Sequence, residues 1–141
     1  MKTISHSPDE TIRLGRQFAR SVKPGTVIAL IGDLGSGKTT FVKGLALGLG
    51  VLDKREVKSP TFVIFHMYKG RIPLYHFDLY RLDQSSDLTE LGMDEYLGDL
   101  GAVSLIEWAD RIPEVITQAD FEIRFSRQGE KDRTIKITRR G

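Results

Sequence analysis

The sequence predicts an α/β fold, a mixed β-sheet with a parallel core, antiparallel additions and flanking helices. Three observations support this. The apolar run 26–31 precedes a glycine-rich stretch and a helix-compatible segment, 38–49, which together make a β-α unit. A second short apolar run, 102–106, predicts another buried strand. Near the end, alternating apolar and polar residues on either side of 128–130 predict an antiparallel hairpin.

The first helix is predicted from its start signals. Ser7, Pro8 and Glu10 have the spacing of a capping box with proline at the first helical position, so we expect an amphipathic helix from Pro8 to about Val22. Pro24-Gly25 then turns the chain into the first buried strand. Gly50 is placed to end the following helix as a left-handed cap.

The middle of the chain predicts antiparallel additions to the sheet. Two aromatic-rich runs, 62–68 and 72–77, flank a turn at 69–71. A short acidic helix is expected from Asp83 to about Tyr96, and weak helix propensity returns at 113–119. No repeat or linker divides the chain, so we expect one domain over residues 1–141.

Composition excludes several kinds of site and of protein for this chain. The chain has 141 residues and no cysteine, which excludes disulfides, thiolate zinc sites and cysteine nucleophiles. It has no apolar signal core and no apolar run near the ~20 residues of a membrane span, so we expect a soluble cytoplasmic protein without membrane contact. Net charge is +2, but acids gather in 83–101 and bases in 121–141. That asymmetry indicates either two solvated faces or steering of a charged partner such as RNA.

The most specific motif is a GxxxxGK[ST] phosphate-binding loop at Gly32–Thr40. It lies between a predicted strand and a predicted helix, the setting that the motif requires. Backbone N–H groups and the helix N-terminus would bind a polyphosphate, Lys38 would bridge the β- and γ-phosphates, and the Thr39 hydroxyl would ligate Mg²⁺. The fold is therefore predicted to be P-loop NTPase-like. A dinucleotide-binding loop is excluded because the third glycine of that motif is absent.

Two acidic residues end apolar strands. Asp78 closes the run 74–78 and Glu107 closes 102–107, so either carboxylate could lie at the carboxyl edge of the sheet, where this kind of fold binds ligands. Hydrolysis needs a carboxylate to hold magnesium and a group to place the nucleophile. The alternative for each acid is a helix cap or a surface ion pair.

Other residues allow more than one interpretation. Ser59-Pro60-Thr61-Phe62 places a hydroxyl where a γ-phosphate sensor could sit, although a turn leading into a strand explains it equally well. Trp108, the only tryptophan, could stack near the site or serve as buried packing. His66 and His76 lack metal-ligand spacing and are interpreted as core or edge residues.

Taken together, these segments resemble the TsaE (YjeE) ATPases of bacterial tRNA threonylcarbamoyladenosine modification. The resemblance rests on the order and spacing of the phosphate loop, Ser59–Phe62, His76–Leu82 and Ile106–Trp108, and it covers nearly the whole chain. This combination is far more specific than the phosphate loop alone. The chain departs from the family pattern at Ser36, where alanine is common, and at Ala109-Asp110, where Pro-Glu is usual.

The resemblance implies roles for particular residues. ATP phosphates would be bound by Gly35, Ser36, Gly37, Lys38, Thr39 and Thr40. Mg²⁺ would be held by Thr39 and Glu107, and hydrolysis would involve Lys38, Asp78, Glu107 and Thr61, the last in a switch-like loop. Further nucleotide contacts would come from Thr11, Trp108 and Arg133.

The resemblance also implies partners. It suggests a Mg²⁺-dependent ATPase that has weak activity alone and works with the TsaD and TsaB proteins. Those partners would carry out the transferase chemistry, and the contact of this chain with tRNA would be indirect.

Two other functions stay open on the residues alone. One is a small-molecule P-loop kinase, which would need an acceptor pocket and an arginine such as Arg81, and the other is a nucleotide-sensing binding module. A GTPase is disfavoured because no Asn-Lys-x-Asp sequence occurs.

Overall fold

The computed structural model describes residues 1–33, 35–52, 65–80 and 93–140. Within these ranges seven strands form one sheet. In chain order they are β1 Lys2–Ser5, β2 Val27–Ile31, β3 Phe65–Tyr68, β4 Leu74–Asp78, β5 Val103–Glu107, β6 Phe121–Gln128 and β7 Asp132–Arg139. Their order across the sheet is β1-β7-β6-β2-β5-β4-β3.

The sheet has a parallel centre and antiparallel edges. Strand β2 runs parallel to both β5 and β6, and β4 runs parallel to β5. The pairs β1–β7, β6–β7 and β3–β4 are antiparallel. Every residue of β2 is buried, as expected for a central strand covered on both faces. The predicted fold class is confirmed, including both predicted hairpins.

Three α-helices flank the sheet in the described residues: α1 Pro8–Phe18, α2 Lys38–Gly48 and α3 Pro113–Gln118. The Ser7 hydroxyl accepts a hydrogen bond of 3.1 Å from the Glu10 N–H, so the predicted cap of α1 is present. Gly50 adopts the predicted left-handed conformation, with φ of +92°. None of these helices is long and apolar enough to cross a membrane.

Some predicted boundaries were wrong. The first helix ends at Phe18 and continues only as a 3₁₀ turn, Ala19–Ser21, a tightening of the last turn that is frequent at helix C-termini. The predicted acidic helix lies mostly outside the described residues, and its described end, Met93–Glu95, is a 3₁₀ turn. Strand β1 was not predicted at all.

Helices α1 and α2 lie with their backbones in direct contact. A Cβ atom added at Gly15 would overlap the carbonyl oxygen of Phe41, and one added at Gly44 would overlap the carbonyl oxygen of Ile12. Gly48 likewise faces the Ala19 side chain too closely for a Cβ. The three glycines therefore allow the close crossing. This contact joins the helix that begins at Lys38 to the helix that contains Thr11.

Two apolar clusters fill the faces of the sheet. One lies under α1 and α2 and includes Phe41, Leu45 and Leu105, and the other includes Ile106, Ile112 and Val115 beside α3. The polar residues discussed below lie where the parallel strands end, at the carboxyl edge of this packed sheet.

Candidate functional site

The phosphate-binding loop connects β2 to α2. Gly35 and Gly37 have φ of +76° and +101°, a left-handed conformation that side chains rarely adopt. Gly37 is also the N-cap of α2, so no side chain caps the first N–H groups of the helix. A Cβ at Gly32 would lie 2.9 Å from the Phe125 carbonyl oxygen. The loop therefore presents backbone N–H groups and the positive end of a helix, the arrangement that binds phosphate.

Lys38 is buried beneath this loop, with 5% of its surface exposed. Its Nζ donates a hydrogen bond to the carbonyl oxygen of Gly32 and lies 3.7 Å from the centre of the Trp108 ring, a cation–π contact. Burial lowers the pKa of Lys38, while the nearby carboxylates, Glu107 and Asp78 first among them, act in the opposite direction. The lysine is thus placed where a phosphate could replace its present partners.

The two predicted carboxylates lie side by side. Strands β4 and β5 pair in parallel with Asp78 opposite Glu107, and these side chains are 5% and 2% exposed. Leu30 of β2 is in register with Glu107, so the loop that follows β2 begins next to them. The Asp78 Oδ1 also accepts a hydrogen bond of 2.9 Å from the Tyr80 N–H. Both acids therefore line the site, and neither is the surface residue of the alternative interpretation.

Glu107 has a partner that the sequence did not indicate. His76, fully buried on β4, places its Nε2 2.6 Å from the Glu107 Oε2. The interpretation of His76 as a core residue is confirmed, and His66 lies on the edge strand β3 as expected.

Trp108 has unusual backbone geometry. It is the one non-glycine residue in the described part of the chain with positive φ, at φ 58° and ψ 38°. A bulky residue there costs of order 1–3 kcal/mol. Its ring is half-buried, lies over Lys38 and sits 4.8 Å from the Tyr80 ring. Of the two interpretations of this tryptophan, the structure supports stacking at the site.

The opposite wall comes from α1 and the β6–β7 hairpin. The Thr11 hydroxyl is already bonded, to the Ser5 Oγ at 2.7 Å and to the Ser7 carbonyl at 3.3 Å, so the threonine presents its methyl group toward Gly37. The Arg133 Nε donates a 3.1 Å hydrogen bond to the Gly35 carbonyl. Both residues thus pack against the phosphate loop.

These walls enclose a cavity of about 810 Å³. Nearly all the predicted site residues that the structure describes line it: Thr11, Gly35, Gly37, Lys38, Thr39, Thr40, Asp78, Glu107, Trp108 and Arg133. Ser36 is buried in the loop instead, and its Oγ has no hydrogen-bond partner in the described structure. Thr61 and the segment Ser59–Phe62 lie outside the described residues, as does Arg81.

Sequence reasoning missed several lining residues: His6, Ser7, Pro8, Tyr80, Glu130 and Lys131. Ser7 and Pro8 carried only a helix-start signal, and Tyr80 lay within the segment that supported the resemblance. Glu130 and Lys131 reach the cavity through the pairing of β6 with β7, which the hairpin pattern predicted without showing where its tip would lie.

The donor set suits magnesium bound together with a phosphate. Thr39 and the two carboxylates bring oxygen ligands to one place, and in the described ranges no cluster of three or more His, Cys, Asp or Glu side chains could hold a metal alone. Mg²⁺ usually takes only one or two protein carboxylates and completes its shell with water and substrate phosphates.

Comparison with known proteins gives concordant results. The family model described as "Threonylcarbamoyl adenosine biosynthesis protein TsaE" matches residues 5–135. The tRNA threonylcarbamoyladenosine biosynthesis protein TsaE of Bacillus subtilis is 46% identical over 139 residues, covering 98% of this chain and 85% of that protein. The protein of the same name from Treponema pallidum is 44% identical over 112 residues, covering 79% of this chain and 81% of that protein.

A solved structure shows the same architecture. The crystal structure of Bacillus subtilis YdiB superposes with a TM-score of 0.77 at 37% sequence identity. The superposition covers 100% of this chain and 86% of that one.

Proposed function

The chain belongs to the TsaE family of threonylcarbamoyl adenosine biosynthesis proteins, and from that premise we propose that it is the Mg²⁺-dependent ATPase of tRNA threonylcarbamoyladenosine formation. One observation carries the proposal. A glycine-rich loop at a helix N-terminus, a buried lysine and two buried carboxylates all line one cavity of about 810 Å³. A cavity of this size is typical of small-molecule sites.

Each residue has a defined part in the proposed reaction. The N–H groups of the loop bind the phosphates, and Lys38 leaves the Gly32 carbonyl and the Trp108 ring to contact the β- and γ-phosphates. Thr39 and Glu107 would hold the metal, and Mg²⁺ when bound would supply charge neutralisation at the phosphate oxygens. Asp78 orients the water that attacks the γ-phosphorus, so that the bond to the bridging oxygen breaks and ADP and phosphate are formed.

We propose that this ATPase acts with partners in the cytoplasm. In the family that the chain resembles, the TsaD and TsaB proteins carry out the transfer to adenosine, and hydrolysis would act on them. The contact with tRNA would then be indirect. The family membership supports this part of the proposal.

The catalytic assignment is tested with Lys38→Ala. Phosphate release from ATP in the presence of the partner proteins should fall by about 100-fold or more, because charge stabilisation by a buried cation is lost. Circular dichroism should stay unchanged. Lys69→Ala, an exposed lysine in the β3–β4 connection, is the matched control and should retain wild-type turnover. Unchanged turnover in Lys38→Ala would refute the assignment, and phosphate transfer to a nucleoside without partners would favour a kinase.

The partner assignment is tested separately. The tagged protein is incubated with a bacterial lysate with and without ATP, and the captured proteins are identified by mass spectrometry. We expect TsaD and TsaB to be recovered, with an amount that depends on ATP. Capture of neither protein under both conditions would contradict this part of the proposal.

A further inference from the structure

His76 and Glu107 form a buried polar pair at the back of the cavity. His76 lies on β4 two residues before Asp78, and Glu107 is in register with Asp78 on β5, so the histidine faces Glu107 diagonally across the two strands. Diagonal neighbours on one face of a sheet are within reach of long side chains. The Nε2 to Oε2 distance is 2.6 Å, and the side chains are 0% and 2% exposed.

The surroundings of the imidazole indicate which nitrogen carries the proton. Its Nδ1 is buried and has no hydrogen-bond partner among the groups that the structure describes. A proton on Nδ1 would be an unsatisfied buried donor, whereas a proton on Nε2 has the Glu107 carboxylate as acceptor. The histidine therefore donates from Nε2 to Glu107.

We infer that His76 is a positioning residue, which fixes the Glu107 carboxylate so that its other oxygen serves the magnesium of a bound nucleotide. The inference rests on the proposed function. The Glu107 Oε2 is hydrogen-bonded to the buried His76, and Glu107 also lines the cavity. The carboxylate therefore lies between a fixed hydrogen-bond donor and the space where a ligand would bind. Hydrogen bonds that orient a metal-binding carboxylate commonly change metal affinity by about 10–100-fold.

The packing around His76 holds its imidazole in a fixed position. The Tyr68 ring centre lies 6.1 Å from that of the imidazole, and the strand is paired on both sides, with β3 and with β5. His66 is directly opposite His76 on β3 but only half-buried, and it does not line the cavity. It therefore offers a matched control.

The test compares His76→Phe, His76→Gln and the control His66→Phe. Phenylalanine removes the donor, whereas a glutamine amide can donate from nearly the same place as Nε2. Each protein is loaded with a non-hydrolysable ATP analogue and titrated with Mg²⁺, and Trp108 fluorescence reports the metal. We expect His76→Phe to weaken Mg²⁺ binding by about 10–100-fold. His76→Gln and His66→Phe should stay within about threefold of wild type, and metal-free nucleotide affinity should be unchanged throughout.

The outcomes separate this inference from the proposed function. If wild type binds the analogue with Mg²⁺ and a folded His76→Phe binds Mg²⁺ equally well, the inference is overturned while the function stands. If wild type shows no Mg²⁺-dependent nucleotide binding, the proposed function itself fails. Should His76→Phe not fold, ¹⁵N NMR of the wild-type imidazole decides, since a proton on Nδ1 with a bare Nε2 would overturn the inference and a proton on Nε2 would support it.

Discussion

Lys38 shows which interactions surround a buried amine in the described part of the chain. The Gly32 carbonyl and the Trp108 ring supply partial negative charge, and Glu107 and Asp78 add longer-range attraction. The carboxylates offset only part of the desolvation that lowers the pKa of the lysine. A phosphate group would provide a stronger partner than any of them.

Ser36 offers a prediction on stability. Its buried hydroxyl lacks a hydrogen-bond partner in the described structure, and an unsatisfied buried polar group costs about 1–3 kcal/mol. We expect Ser36→Ala to leave the free energy of unfolding unchanged or to raise it by about 1 kcal/mol, measured by urea denaturation. Nucleotide affinity should change by less than about threefold. A loss of more than 1 kcal/mol would show that the hydroxyl has a partner in solution.

His6 offers a prediction on pH. Its hydrogen bond to Asp132, together with the charges of Asp132 and Glu10, raises the pKa of His6 above 6.5. The stability from this pair should be fully present below the unfolded pKa of about 6.5 and lost as pH rises through the folded pKa. In an NMR titration, Asp132→Asn should lower the pKa of His6 toward its ordinary value. An unchanged pKa would mean that the pair does not form.

At the scale of elements, local signals predicted most of the structure. Ser7 and Pro8 start α1, the apolar run 27–31 forms the central strand, and Gly50 caps α2 as expected. Strand β1 could not be predicted, because its partner β7 is more than a hundred residues away in the chain and four residues carry little pattern. Its pairing is decided by tertiary contact.

Local sequence signals predicted the site only in part, for the same reason. Asp78 and Glu107 could be predicted because each ends an apolar strand, and strand ends converge at one edge of a parallel sheet. The bond from His76 to Glu107 and the left-handed backbone of Trp108 depend on the pairing of two strands and on a turn that has no glycine. Neither leaves a pattern in the sequence.

The close crossing of α1 and α2 predicts that adding one methyl group at Gly44 destabilises the fold. Gly44→Ala should reduce the free energy of unfolding by about 1–3 kcal/mol, even though alanine favours helices, because its Cβ would overlap the Ile12 carbonyl. Chemical denaturation measures this. Gly101→Ala is the control, since its Cβ would meet only the Asp99 side chain at 3.4 Å. Equal stability of the two variants would contradict the close crossing.

At the scale of the whole molecule, the cavity joins segments from both ends of the chain and the middle. Lining residues come from α1, the phosphate loop, the ends of β4 and β5, and the β6–β7 hairpin. A ligand that contacts all of them stabilises the folded state as a unit, because the unfolded chain does not assemble the cavity.

Ligand binding should therefore raise the melting temperature. At a concentration of Mg²⁺ and ATP analogue 100 times the Kd, the stabilisation is about 2.7 kcal/mol. For a chain of this size that corresponds to roughly 5–10 °C in a thermal shift measurement. Lys38→Ala should show little shift at the same concentrations, while Lys69→Ala should behave as wild type. An equal shift in wild type and Lys38→Ala would argue that the analogue binds elsewhere.

The close contact between α1 and α2 also limits how far the cavity beside them can narrow. Because the two backbones are in close contact at Gly15, Gly44 and Gly48, the helix that begins at Lys38 and the helix that contains Thr11 cannot approach each other more closely. Under the proposed function, the Lys38 amine would then have to leave the Trp108 indole before a phosphate could bind to it.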